Sequence, residues 1–113
     1  MLVEKVLVES VQLGTGAASY YITTSKAYAV ITQATACNTS LASVNLSVFL
    51  TPAGAAPSEA NAIMAEVPIP SGQTLIIAPM VGHVLAAAGT SIQAFASAAS
   101  SLTFRVSGYE KPA

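Results

Sequence analysis

The sequence predicts an all-β domain: a β-sandwich, jelly-roll-like, of about eight short antiparallel strands. Three observations predict it. Apolar and polar residues alternate with period two in several separate segments, the signature of strands with one face on a core. Turn-forming residues punctuate the chain at short intervals, among them Gly14-Thr15-Gly16, Thr24-Ser25-Lys26, Asn38-Thr39-Ser40, Pro52–Pro57, Pro70-Ser71-Gly72, Gly82, Gly89 and Ser100-Ser101. Finally, no segment offers more than a brief turn of helix. With 113 residues the chain is expected to form a single domain, 1–113.

In chain order, the first expected strands are Val3–Gln12 and Ser19–Thr23, both weakly patterned. Tyr28–Cys37 is stronger, being rich in the β-branched residues Val30, Ile31, Thr32 and Thr35. Val44, Leu46, Val48 and Leu50 alternate with Asn45, Ser47, Phe49 and Thr51. Ala62–Pro68 and Thr74–Ala78 are weaker candidates. Ile92, Ala94 and Ala96 then alternate with Gln93, Phe95 and Ser97, and Leu102, Phe104 and Val106 with Thr103, Arg105 and Ser107. Two stretches compete as helix: Ser58–Glu66, with good helix formers and an acidic first turn, and the Ala-rich Leu85–Ala88. Pro70-Ser71-Gly72 reads as a tight turn, and Gly89 fits a reversal before a strand. Gly108 reads as a point where the last strand bends or lies close to another backbone.

Composition narrows the function. Hydrophobic residues make up 53% and charged residues 8%, with no Asp and no Trp. An average soluble domain is about 25% charged. A surface this poor in charge suits a protein largely covered by neighbours. Lys5, Lys26, Arg105 and Lys111 are too few and too scattered to neutralise phosphates, so neither nucleic acid nor a membrane is expected as a partner. The most apolar window, Leu75–Gly89, is interrupted by Pro79, Gly82 and His83 and falls short of a spanning helix. The start of the chain, with Glu4 and no basic region before an apolar run, does not read as a secretory signal.

No catalytic, cofactor-binding or metal site is expected, and the chain does not read as an enzyme. His83 is the sole imidazole, and a nucleophilic triad would need a carboxylate to orient it and a serine on a suitable elbow. One Cys, one His and no Asp cannot build a structural zinc site. Cys37, closing a β-branched run, reads as a buried thiol acting as a small hydrophobe. Glu59 and Glu66 read as solvated loop acids. The sequons at Asn38 and Asn45 are expected by chance in a chain so rich in Ser and Thr. Tyr20, Tyr21 and Tyr28 form an aromatic cluster that, with Leu2, Val3 and Val6 of the apolar run Leu2–Val11, makes the best candidate for subunit contact.

From Ala36 onward the order of motifs carries a resemblance. Cys37-Asn38-Thr39-Ser40 closes one strand, followed by Val44–Leu50, Pro52-Ala53-Gly54 and Glu59-Ala60-Asn61-Ala62. Then come Ile69-Pro70-Ser71-Gly72-Gln73-Thr74-Leu75, Val84–Gly89, Ser91–Ser97 and Phe104–Glu110. This succession resembles a group of small all-β structural proteins of tailed bacteriophages, some of them capsid decoration (cement) proteins. It spans Ala36–Glu110 and departs from the pattern at Thr90, where relatives often carry an acid. The resemblance implies a virion protein on the capsid exterior, made in the host cytoplasm, that binds the major capsid protein and copies of itself, most simply as a dimer, and stabilises the shell. A tail, neck or fibre-associated module and a carbohydrate- or receptor-binding sandwich are the alternatives.

Overall fold

In the computed structural model, residues 3–23, 27–86 and 88–112 are described. Nine strands follow one another: β1 (Val3–Gln12), β2 (Ala18–Ile22), β3 (Ala27–Asn38), β4 (Val44–Thr51), β5 (Ala62–Ile69), β6 (Thr74–Ile76), β7 (Val84–Leu85), β8 (Ser91–Ala96) and β9 (Leu102–Pro112). They form two antiparallel sheets. One has five strands in the order β1-β9-β3-β6, with β7 beside β6 on the same flank of β3; the other runs β2-β8-β4-β5. Pairing is nested: β1 with β9, β2 with β8, β3 with β6 and β7, β4 with β5. A chain folded once on itself and then rolled has this order, so the sandwich is a jelly roll.

The alternation seen in sequence has the expected phase. Val44, Leu46 and Val48, Ile92, Ala94 and Ala96, and Leu102, Phe104 and Val106 are all buried between the sheets. Beside β9 in the same sheet, the small Ala29, Ala34 and Ala36 of β3 are buried with Ile31, and Tyr20 meets Phe104 edge to face at 6.2 Å between ring centroids. At Gly108 the neighbouring strand leaves no room for a side chain. A Cβ there would stand 2.0 Å from the Val30 carbonyl oxygen. Bulges flank this point on both neighbours, in β1 between Val6 and Val8 and in β3 between Ile31 and Gln33.

The turns follow their residues. In Pro70–Gln73 the Gln73 N–H donates to the Pro70 carbonyl, with Gly72 at φ 72°. Asn38 organises the β3–β4 connection from a fully buried position. Its amide donates to the Ala42 and Ile69 carbonyls, both at 2.8 Å, and its Oδ1 accepts from the Ser40 N–H and hydroxyl. That sequon is therefore architecture.

Within Ser58–Glu66 the helix is a single brief 3₁₀ turn, Glu59–Asn61, and from Ala62 the chain pairs with β4 as the strand candidate Ala62–Pro68 anticipated. Two expectations are corrected. Leu85 lies in β7, with its side chain in the core, not in a helical turn. Cys37 is only half-buried: it pairs with Thr103 and Thr74 and, by the phase of β9, faces outward.

Candidate functional site

Residues directly opposite one another in a sheet share a face. With Leu102, Phe104 and Val106 inward, β9 turns Thr103, Arg105, Ser107, Tyr109 and Lys111 outward. The register then lays out the outer face of the five-stranded sheet in rows. Val84, Val30, Tyr109 and Glu4 make one row; Ile76, Thr35 and Arg105 another; Ser107 and Val6 a third; and Tyr28 pairs with Lys111. Ile76 is 61% exposed, Val84 53% and Tyr109 36%. Lys111 Nζ lies 5.8 Å from the centroid of the Tyr28 ring, so this cation is set against an aromatic face. The result is a surface on which Ile76, Val84, Val30, Tyr109 and Tyr28 stand among three exposed charges, Glu4, Arg105 and Lys111.

The candidate contact residues divide between this face and the interior. Val6 and Tyr28 stand on the outer face, half-buried. Tyr20 and Tyr21 pack against the core. Leu2, and the side chain of Val3, lie outside the described residues. Ile76, Val84, Val30 and Tyr109 are additions. Tyr109 was within reach of sequence, since continuing the β9 alternation from Val106 turns it outward.

Tyr21 has a second task. It reaches from the four-stranded sheet to donate its hydroxyl to Glu110 Oε2 at 2.6 Å, and Lys5 Nζ lies 3.3 Å from Oε1 of the same carboxylate. The bond from Tyr21, reinforced by Lys5, holds the Glu110 carboxyl below its usual range despite partial burial. Burial, and then the bond to Glu110, push the Tyr21 hydroxyl upward. This arrangement clips the two sheets together at one end.

The outer face of the four-stranded sheet carries a groove of about 360 Å³, lined by Phe49, Phe95, Ala17, Pro57, Ala62 and Ala65, with Ser47, Ser58, Glu59 and Glu66. Phe49 and Phe95 stack at 5.9 Å with ring planes 22° apart. A cleft of similar size, about 370 Å³, lined by Pro68, Ile69, Pro70, Gln73, Thr74 and Leu75, lies where β5 turns into β6.

His83 is exposed in the turn before β7, where its backbone carbonyl accepts from Ile31 N–H. Among the described residues no group of three His, Cys, Asp or Glu side chains could hold a metal ion, and no helix is long and apolar enough to cross a membrane. The chain matches no protein-family model, no curated protein and no solved structure.

Proposed function

We propose that this chain is a structural protein of a tailed-bacteriophage particle, a decoration protein that binds the outside of the capsid shell and stabilises it. The observation that carries the reading is the outer face of the five-stranded sheet, where Ile76, Val84, Val30, Tyr109 and Tyr28 offer apolar area among Glu4, Arg105 and Lys111. Covering such a face removes carbon from water at roughly 25 cal/mol per Å², and the partner must also meet these three charges. The ordered motifs from Ala36 to Glu110 and the jelly-roll topology support the same reading. The partners are the major capsid protein and further copies of this chain, a two-fold dimer being the simplest closed assembly.

A protein that binds only the assembled shell adds its binding free energy to shell stability by linkage. Particles lacking the gene should assemble yet release DNA at a lower temperature, and added purified protein should restore the wild-type release temperature. Val84→Glu should abolish that restoration while leaving the melting temperature of the free chain unchanged. Gene-deleted particles that withstand heat like wild type but fail to adsorb to cells would move the protein to the tail or to receptor binding.

A further inference from the structure

The groove on the four-stranded sheet lies on the side of the sandwich opposite the proposed docking face, and its construction is unusual. In a regular strand, consecutive side chains point to opposite faces, so with Met64 inward and Ala65 outward Glu66 would be sent toward the core. Instead β5 carries an extra residue. Met64 pairs with Val48 and Val67 with Leu46, so three steps along β5 match two along β4. Glu66 takes φ 48° at this bulge, its N–H donates to Ser47 Oγ at 3.0 Å, and Ala65 and Glu66 both line the groove. Left-handed backbone at a non-glycine residue is costly and tends to mark function. Here it keeps Glu66 in the lining of the groove that also holds the two stacked phenyl rings.

Glu59, presented by the 3₁₀ turn, supplies a second carboxylate. No strand of this sheet contains Lys or Arg. Of the described cations, Lys5, Arg105 and Lys111 all belong to β1 and β9 of the other sheet. The groove therefore combines an apolar floor, two aromatic rings and two acids that no cation of its own sheet neutralises.

We infer that this groove binds an arginine- or lysine-bearing segment of a partner protein. The apolar stem of such a side chain packs on Phe95 and the alanines, while its charged head sits against the rings and meets Glu59 and Glu66. What favours a cationic side chain over a saccharide is charge: the two acids face the groove and no strand of this sheet supplies a Lys or Arg to meet them, so a saccharide enters the test as the competing ligand.

The test is an NMR titration of the ¹⁵N-labelled full chain with acetyl-Leu-Arg-Leu-amide and with the same peptide carrying citrulline, the neutral isostere of arginine. The arginine peptide should shift the amides of Phe49, Ala65, Glu66 and Phe95 saturably in the millimolar range. The citrulline peptide should bind about ten-fold more weakly. Glu66→Gln, which keeps the exposed side chain's shape, should remove most of that difference without moving resonances outside the groove, and Phe95→Ala should weaken the arginine peptide. Equal binding of the two peptides, shifts confined to other surfaces, no saturable binding, or maltose shifting the same amides more strongly would each overturn the inference. None of these outcomes bears on the face containing Val84, so the two readings fail separately.

Discussion

Replacing Gly108 by alanine tests the point at which β3 leaves no room for a side chain on β9. The new Cβ would lie 2.0 Å from the Val30 carbonyl oxygen, 3.0 Å from its carbon and 3.1 Å from Leu7 Cδ1. Ordinary contact begins at 3.4 Å, so β3 and β9 must part by about 3.4 − 2.0 = 1.4 Å. Ladder bonds of about 2.7–3.2 Å cannot follow such a shift. The crowding is from backbone, which no rotamer change relieves. Losing about two ladder bonds at roughly 1 kcal/mol each, with about 1–3 kcal/mol of overpacking, gives a cost of about 3–5 kcal/mol. That is a large part of the roughly 5–15 kcal/mol that holds a domain folded. Urea unfolding followed by circular dichroism measures it. Gly16→Ala is the control, because a Cβ there meets nothing within 4 Å; it should change stability by less than about 0.5 kcal/mol. A Gly108→Ala cost below about 1 kcal/mol would refute the reasoning.

Four further outcomes are expected. Tyr21→Phe should cost about 1 kcal/mol at neutral pH. Because the Glu110 carboxyl is held low, its contribution is present above the unfolded value near about 4.3 and is lost as pH falls through the folded one; because the Tyr21 hydroxyl is held high, its contribution is lost as pH rises beyond about 10. Thermal melts across pH should show Tyr21→Phe flattening both limbs. Asn38→Ala should cost about 2–4 kcal/mol in urea unfolding, since it removes the buried bond to the Ile69 carbonyl together with the bonds that tie Ser40 and Ala42 into the turn. Thr51→Val should raise stability by about 1 kcal/mol in the same assay, because the Thr51 hydroxyl is fully buried and finds no partner among the described residues. Washing decorated particles with high salt should leave the protein attached, since apolar burial is not screened; release at moderate ionic strength would place the contact elsewhere.

Every strand but β7 was located by reasoning from sequence: Val44–Thr51, Ser91–Ala96 and Leu102–Ser107 by period-two alternation, Tyr28–Cys37 by its β-branched residues, and Val3–Gln12, Ser19–Thr23, Ala62–Pro68 and Thr74–Ala78 by weaker patterning between turn signals. β7 could not announce itself: two residues have no period, and Leu85-Ala86-Ala87-Ala88 has the composition of a helix. The contact face was half legible. Val6 and Tyr28 were singled out for apolar and aromatic character, and they do stand outward. Tyr20 and Tyr21 have the same character but occupy the core, since β2 shifts register between Ser19 and Tyr21. β3 hid its orientation because both of its faces carry β-branched residues, and Thr32 sits at a bulge that reverses the phase within the strand. The groove was illegible because it depends on one extra residue in β5, which turns Glu66 from the side its position in the alternation would dictate.

The nested order of the strands also governs when the molecule can exist. β4 and β5 form the innermost hairpin, and each further pair joins segments more distant along the chain, until β1 must find β9 at the other end. β9 lies between β1 and β3, so until Leu102–Pro112 has been synthesised the five-stranded sheet lacks its middle. A chain still on the ribosome can close the inner hairpin but must leave β1 and β3 with unpaired edges, the state most open to aggregation and proteolysis. Loop closure over nearly the whole chain then makes the final step slow relative to helical proteins of the same size. The sheet proposed to dock is thus completed only after the other, and its outer face is presented only once Leu102–Pro112 has been inserted.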